Sequence, residues 1–217
     1  GADSAYYLSI NRNKSSIAID LKKPSGRELM QRLAKASDIV IENYRPGVID
    51  RLGLGYREFS QTHPGIIWAS ISGFGQDGPY RDFPAYDMIV QALSGGMSLT
   101  GEAGRPAVRA GIPLGDLAAG MYSVIGILAA LHERKATGRG KQIDVAMLDS
   151  AISWASQTIG SWLNGGIAQP RRANLSVSHE PIGDSYQTAD GTLMLAIMRD
   201  EHVKTLLRVL GYEQLVA

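Results

Sequence analysis

Asp116 closes the segment Gly111-Ile-Pro-Leu-Gly-Asp116 and stands directly before a long apolar run that starts at Leu117. An aspartate in that place has two uses. As an N-cap, its side chain accepts a backbone N–H that the helix leaves unpaired. As a nucleophile, it profits from the positive end of the helix, which favours the ionised carboxylate, and an ionised carboxylate can attack an acyl carbon. Gly115 and Gly120 leave room for a bulky ligand to approach the backbone. Both uses need the same geometry, and spacing alone leaves both open.

No other residue type competes well for chemistry. The histidines are His63, His132, His179 and His202, and none stands at metal-ligand spacing from another histidine or a carboxylate. Structural or surface roles suit them, His132 as a cation near a helix C-terminus. No Ser-His-Asp arrangement and no zinc pattern is apparent. Gly73-Phe-Gly-Gln-Asp-Gly78 has G-x-G-x-x-G spacing, but no good helix pattern follows it, so it is not read as a dinucleotide loop. Asn43-Tyr-Arg-Pro-Gly47 reads as a turn after a strand, at the end of a sheet where ligands of open α/β folds bind. Lys22 and Arg51 have the charge to meet phosphates and are equally at home in water. Arg105 and Arg109, in the loop before Asp116, have the charge to hold a dicarboxylate and read more simply as surface residues.

The elements that must position these residues follow from periodicity. Residues 15–20 alternate apolar and polar and predict a short strand. Ser25 and Glu28 sit at capping-box spacing ahead of Leu29, Met30 and Leu33, which predicts a helix over 25–36. Residues 38–42 predict a buried strand, 48–52 a short helix, 56–62 a second helix and 66–71 another buried strand. Strand, helix and strand in alternation predict a parallel α/β sheet. Residues 73–85 and 100–115 are rich in Gly and Pro and read as loops, with a helix over 87–93 between them. Leu117, Met121, Val124, Ile125, Leu128 and Leu131 share one face of a helix running to about Arg134. A turn at Thr137-Gly-Arg-Gly140, a strand over 142–148 and a helix over 150–163 follow. The composition turns polar over 166–180, which predicts a linker. A turn and strand within 188–199 and a helix near 202–210 then predict the start of a smaller α+β domain. The expected organisation is a main α/β domain over 1–165, incomplete at its N-terminus, a linker over 166–180 and an incomplete small domain over 181–217.

Composition narrows the classes. The 217 residues are 44% hydrophobic, enough to bury a sizeable core. Lys and Arg number 22 against 21 Asp and Glu, with no like-charged block, which argues against a nucleic-acid or membrane-surface binder. The absence of cysteine excludes disulfides and a thiol nucleophile and suits a reducing compartment. Residues 117–131 look too short and too mixed for a membrane span. The first residues carry neither an initiator Met nor a signal region, so the chain is expected to be an internal piece.

Six stretches in order resemble the class III CoA-transferase family, the group of formyl-CoA and carnitine CoA-transferases and α-methylacyl-CoA racemases. They are Asn13-Lys-Ser-Ser-Ile-Ala-Ile-Asp-Leu-Lys22, Asp38-Ile-Val-Ile-Glu-Asn-Tyr-Arg-Pro-Gly47, Ser70-Ile-Ser-Gly-Phe-Gly-Gln-Asp-Gly-Pro79, Ala85-Tyr-Asp-Met-Ile-Val-Gln-Ala92, Gly115-Asp-Leu-Ala-Ala-Gly120 and Thr137-Gly-Arg-Gly-Lys-Gln-Ile-Asp-Val-Ala-Met147. Tyr186-Gln-Thr-Ala-Asp-Gly191 extends the likeness more weakly.

The resemblance implies a Rossmann-like parallel sheet with flanking helices. It implies that Asp116 attacks the thioester of an acyl-CoA, forms a mixed anhydride and then an enzyme–CoA thioester, and passes CoA to a carboxylic acid. The anhydride retains the energy of the thioester, so neither metal nor permanently bound cofactor is implied, and CoA and acyl-CoA are substrates. Family positions lining the CoA site match Ile19, Asp20, Leu21, Lys22, Asn43, Tyr44, Arg45, Arg51, Pro84, Ala85, Tyr86 and Asp87. Lys22 and Arg51 then suit the CoA phosphates. Full-length members imply an interlocked homodimer and a cytoplasmic enzyme, with no nucleic-acid or membrane partner. The racemase branch resembles the same scaffold but pairs its aspartate with a histidine where this chain has Tyr86, and tyrosine is a poor acid or base at neutral pH. A third reading is a CoA-binding protein without catalysis, which an exposed Asp116 would favour.

Overall fold

The computed structural model describes residues 4–175 and 182–216. Helix α1 (Ala5–Ile10) is started by Ser4, whose hydroxyl accepts the Tyr7 N–H at 3.1 Å. The strand expected over residues 15–20 does not form. That stretch has no regular secondary structure and pairs with no strand among the described residues, and Ile17 stays 62% exposed. Alternation marks a strand only where a neighbour supplies the ladder and the covering face.

Helix α2 (Pro24–Lys35) fills the next expected place, but Ser25 does not cap it. Pro24 takes the first helical position and Lys23 is the N-cap, because a fixed φ and a missing N–H suit that place. Strand β1 (Ile39–Glu42), helices α3 (Val48–Arg51) and α4 (Tyr56–Thr62), and strand β2 (Ile67–Ser72) follow in the predicted order. Next come α5 (Asp87–Leu93), α6 (Gly96–Leu99), α7 (Leu114–Thr137) and β3 (Gln142–Ala146). The helix expected over 150–163 is two, α8 (Met147–Trp154) and α9 (Ser156–Gly165), broken at Ala155. Strands β4 (Ile182–Gln187) and β5 (Thr192–Ile197) form an antiparallel hairpin that pairs Ile182 with Ile197 and Gln187 with Thr192. Helix α10 (Asp200–Val209) and a 3-10 turn at Glu213–Leu215 follow.

The main sheet has the order β1-β2-β3. Strand β1 lies parallel to β2, with Ile39 opposite Ile67 and Glu42 opposite Ser70. Strand β3 runs the same way: Gly140 N–H donates to the Pro64 carbonyl, Trp68 N–H to Lys141 and Leu148 N–H to Gly73. This is the parallel α/β sheet with flanking helices that the alternation of elements predicted. At Gly140 an added Cβ would lie 1.9 Å from the Ile66 carbonyl oxygen, so only glycine lets β3 enter beside β2.

The chain divides into two compact units, residues 1–70 with 125–144 and residues 71–124 with 145–217. In the first, Val40, Ile49, Leu54, Phe59 and Trp68 form one buried cluster, and Ile67, Ala69, Ile127 and Ala130 form another. Trp68 thus belongs to one cluster and its neighbours Ile67 and Ala69 to the other. Both faces of β2 are covered, as a central parallel strand requires. In the second unit α5 packs on α8.

Helix α7 begins in the second unit and ends in the first. Most of its expected apolar face is exposed, although Leu131 packs against a buried cluster. Leu117, Met121, Val124, Ile125 and Leu128 are each about half exposed, whereas Ala118, Ala119, Ser123, Ile127 and Ala130 are buried. Small residues let neighbouring backbone come close, so the sparse, small-residue side faces inward. The helix also outlasts its predicted end. Its 24 residues include an 18-residue window of mean hydropathy 1.7, long and apolar enough by those measures to cross a bilayer, which corrects the expectation of a stretch too short and mixed. Ile127, Ala130 and Leu131 nevertheless pack against residues of the sheet, as in a core helix.

Candidate active site

Asp116 is the third residue of α7, which starts at Leu114. It is therefore inside the first turn and does not occupy the N-cap place. The helix starts earlier than the sequence pattern suggested because Pro113 accepts the Leu117 N–H and opens the α-helical ladder. Asp116 is exposed as a residue, while the preceding Gly115 is buried. Partial burial of its carboxyl, and next the neighbouring Asp87 carboxylate, raise Asp116 above the ordinary carboxylate range. Its place in the first turn works in the opposite sense, since unpaired N–H groups favour the charged form.

Asp87 opens α5 and is partly buried. Its Oδ1 accepts the Gly115 N–H at 2.8 Å, and its Oδ2 accepts a bond from Gln91 Nε2 at 2.7 Å. A carboxylate from another helix thus caps the second residue of α7. Gly115 is required for that contact. A Cβ there would lie 2.8 Å from Val90 Cγ1 and 3.3 Å from Asp87 Oδ1. Sequence reasoning quoted Gln91 only as part of a motif. Its bonding reveals more, because its partners lie four, nineteen and twenty-one residues away.

Pro84, Ala85 and Tyr86 lead into α5. Ala85 lies close to Gly73, where an added Cβ would be 2.4 Å from the Ala85 Cβ. Tyr86 is the N-cap residue of α5 by its backbone, makes no side-chain cap bond and is 76% exposed.

The first unit holds the other predicted set. A cleft of about 360 Å³ opens at the C-terminal end of β1, lined by Leu21, Glu42, Asn43, Tyr44, Ile49 and Trp68 among others. Leu21, Asn43 and Tyr44 of the predicted CoA-lining residues therefore meet in one cleft, and Ile19, Asp20, Lys22, Arg45 and Arg51 are not among its lining residues. Ile19 is half-buried, and the other four are exposed. Asp20 builds the turn beside the cleft, its Oδ1 accepting the Lys22 N–H at 3.0 Å. Arg27 holds that turn by donating to the carbonyls of Leu21 and Lys22. Glu42 is buried and accepts the Tyr44 N–H at 2.9 Å, which bends the chain into the cleft wall. Trp68 stacks on Phe59 at 5.3 Å, and its buried indole N–H has no partner among the described residues.

The remaining candidates are peripheral. His63 contacts the Thr62 hydroxyl at 3.2 Å, His202 lies 3.7 Å from Glu201, and His179 falls outside the described residues. Arg105 pairs with Glu102 on the surface, and Arg109 donates to the Ala110 carbonyl.

The chain is thus a parallel α/β fold with a carboxylate in the first turn of a long helix, beside a buried glycine that lets Asp87 and Val90 pack against the helix start. The chain belongs to CoA-transferase family III, whose model matches residues 1–217. It is 38% identical over 216 residues to an acetyl-CoA:oxalate CoA-transferase of Acetobacter aceti, covering 99% of this chain and 55% of that protein. It is 35% identical over 216 residues to a human succinyl-CoA:glutarate CoA-transferase, covering 100% of this chain and 49% of that protein. A CAIB/BAIF family protein from Brucella suis has the same fold, with a TM-score of 0.88 and 35% identity over 97% of this chain and 56% of its own. The chain spans about half the length of the curated relatives it matches.

Proposed function

We propose that this chain is the part of a CoA-transferase that carries its covalent chemistry, with Asp116 as the acyl carrier. The observation that bears most weight is Asp116 in the first turn of α7, next to a glycine whose N–H is held by Asp87. Its raised proton affinity makes the ionised form a better nucleophile than an ordinary carboxylate.

An Asp116 oxygen attacks the thioester carbonyl of an acyl-CoA, the C–S bond breaks, and CoA thiolate leaves a mixed anhydride. The thiolate attacks the Asp116 carbonyl of that anhydride and releases the donor carboxylate, leaving CoA as a thioester on Asp116. The acceptor carboxylate attacks this thioester, its C–S bond breaks, and CoA thiolate leaves a second anhydride between Asp116 and the acceptor. The thiolate then attacks the acceptor's carbonyl, and Asp116 returns as a free carboxylate. Each bond broken is replaced by one of similar energy, so no nucleotide is consumed. Water has to be kept from both anhydrides.

The cleft beside Asn43 and Tyr44 is proposed to hold part of the CoA, with Lys22, Arg45 and Arg51 available to its phosphates. Ile19, Asp20, Leu21, Pro84, Ala85, Tyr86 and Asp87 complete the proposed CoA-lining set. Relatives named for oxalate and glutarate suggest a carboxylic acid acceptor. The racemase reading is not favoured, since the relatives above are named as transferases and Tyr86 stands where a histidine would be needed.

Binding without transfer is the second reading, and the exposure of Asp116 speaks for it. Trapping separates the two. The protein is incubated with a panel of acyl-CoAs, quenched with hydroxylamine and digested with trypsin. The peptide 110–134 contains Asp116 and one other side-chain carboxylate, Glu133. A hydroxamate on Asp116 supports transfer. CoA binding with no adduct from any donor favours the binding-only reading.

A further inference from the structure

Gln91 is 4% exposed, and the transfer steps above give it no role. Its amide is fully engaged. Nε2 donates to Asp87 Oδ2 at 2.7 Å and to the Ile112 carbonyl at 3.1 Å, and Oε1 accepts the Ala110 N–H at 2.8 Å. Turning the amide over would set Oε1 against a carboxylate and a carbonyl and would set Nε2 against an N–H. The partners therefore fix its orientation.

From Gln91 the chain of bonds leads to α7 by two routes. One passes through Asp87 to the Gly115 N–H. The other holds the backbone at Ala110 and Ile112, directly before the helix begins. Pro113, the residue before Leu114, has no side-chain group with which to cap α7. The direction of the first turn is thus set from α5. Asp116 is the next residue along from the glycine that is held.

We propose that Gln91 is a positioning residue for Asp116: by fixing Asp87 and residues 110–112 at once, it sets where the Asp116 carboxylate points. This rests on the reading of Asp116 as the acyl carrier. The physical reason is the steep dependence of attack on alignment, since a misplacement of about 1 Å costs on the order of 10²-fold in rate. Loss of the amide would leave Asp87 Oδ2 and the Ala110 N–H short of partners in a partly buried place, and the Ile112 carbonyl with the Leu114 N–H alone. Those groups would then move to find others.

The test uses the full-length protein and three variants: Gln91→Met, which keeps the volume without the amide; Asp87→Asn; and the pair Asp87→Asn with Gln91→Glu. In the pair, the introduced asparagine donates its amide N–H to the introduced glutamate carboxylate and still accepts from Gly115, and the glutamate still accepts from Ala110, while the bond to the Ile112 carbonyl is given up. The central bond is thereby rebuilt with its polarity reversed. Gln91→Met is expected to lower kcat by roughly 10²-fold with KM for acyl-CoA changed by less than about threefold. It is also expected to speed hydrogen exchange at the Gly115 amide by about tenfold or more while the Ala69 amide in β2 is unchanged. The double variant should recover about a tenfold part of the lost kcat, which a merely structural glutamine would not give. A Gln91→Met protein with kcat within about threefold of the parent, or with Gly115 exchange unaltered, overturns the proposal. If Gln91→Met does not fold, Asp87→Asn is read alone, and hydrogen exchange at the Gly115 amide unaltered in that variant is the overturning result. Asp116→Asn keeps the two failures apart: full transfer in that variant removes the acyl-carrier reading, whereas the exchange of Gly115 still reports on the clamp.

Discussion

Arg134 and Asp38 meet at 3.0 Å, but the arginine is largely covered while the aspartate side chain is 80% exposed. The same guanidinium donates to the Gly65 carbonyl at 2.9 Å and to the Asp38 carbonyl at 3.4 Å. One side chain of α7 therefore ties down the backbone that leads into both β1 and β2. The carbonyl bonds matter more than the ion pair. Arg134→Ala should cost about 1–3 kcal/mol of stability, and Asp38→Ala less than about 1 kcal/mol. Urea unfolding of both variants checks the order, and an equal loss from each would show that the ion pair dominates.

In the proposed transfer, Asp116 must be ionised to attack. Its carboxyl is raised by burial and then by Asp87, so transfer should be lost on acidification at a higher pH than an ordinary carboxylate would give. Asp87→Asn removes the like charge and should move that acid limb downward. A limb unmoved in a pH profile of kcat/KM would mean that another group controls it.

The same shift has a stability side. A carboxyl whose folded value lies above its unfolded one is penalised when ionised in the fold. The penalty is complete above the folded value and absent below the unfolded one. Asp116→Asn should therefore abolish transfer yet melt at a higher temperature at neutral pH, and the difference should vanish as the pH falls. A variant that melts lower at neutral pH would contradict the assigned direction.

Gly115→Ala puts a methyl group 2.8 Å from Val90 Cγ1. The overpacking should cost about 1–3 kcal/mol, and transfer should fall because the Asp87 contact loosens. Adding Val90→Ala should restore part of the stability. Thermal melts of the single and double variants decide it.

Trp68 gives a reporter for the cleft. With Trp154 and Trp162 changed to Phe, it is the remaining tryptophan of the chain. Titration with CoA should change its emission saturably. A flat signal from a protein that binds CoA by calorimetry would place the ligand elsewhere.

Much of the frame was legible in the sequence. Helices α4 and α5 begin and end where their periodicity does, because glycine or proline punctuates the chain beside each. Strands β1 and β2 are short β-branched runs and nothing else fits them. Other parts were not legible, for physical reasons. Residues 15–20 have a strand's alternation and no partner. The break at Ala155 has no marker in composition. Strand β4 is nearly featureless alone and exists through its pairing with β5. The face of α7 was read by size, and the packing chose small side chains. Asp116 was found as a residue and misplaced within the helix start. Gln91 was hidden because its meaning lies in distant partners.

The clamp has a consequence for how such a protein can change over generations. Ser94 to Arg109 form an excursion that leaves at the end of α5 and returns at Ala110, and Gln91 grips the returning backbone. An excursion anchored at both ends can be lengthened, shortened or rewritten at small entropic cost. Under the proposed function, the Asp116 carboxylate would keep its aim while the surroundings vary, so a lineage could try new loops without first losing its chemistry.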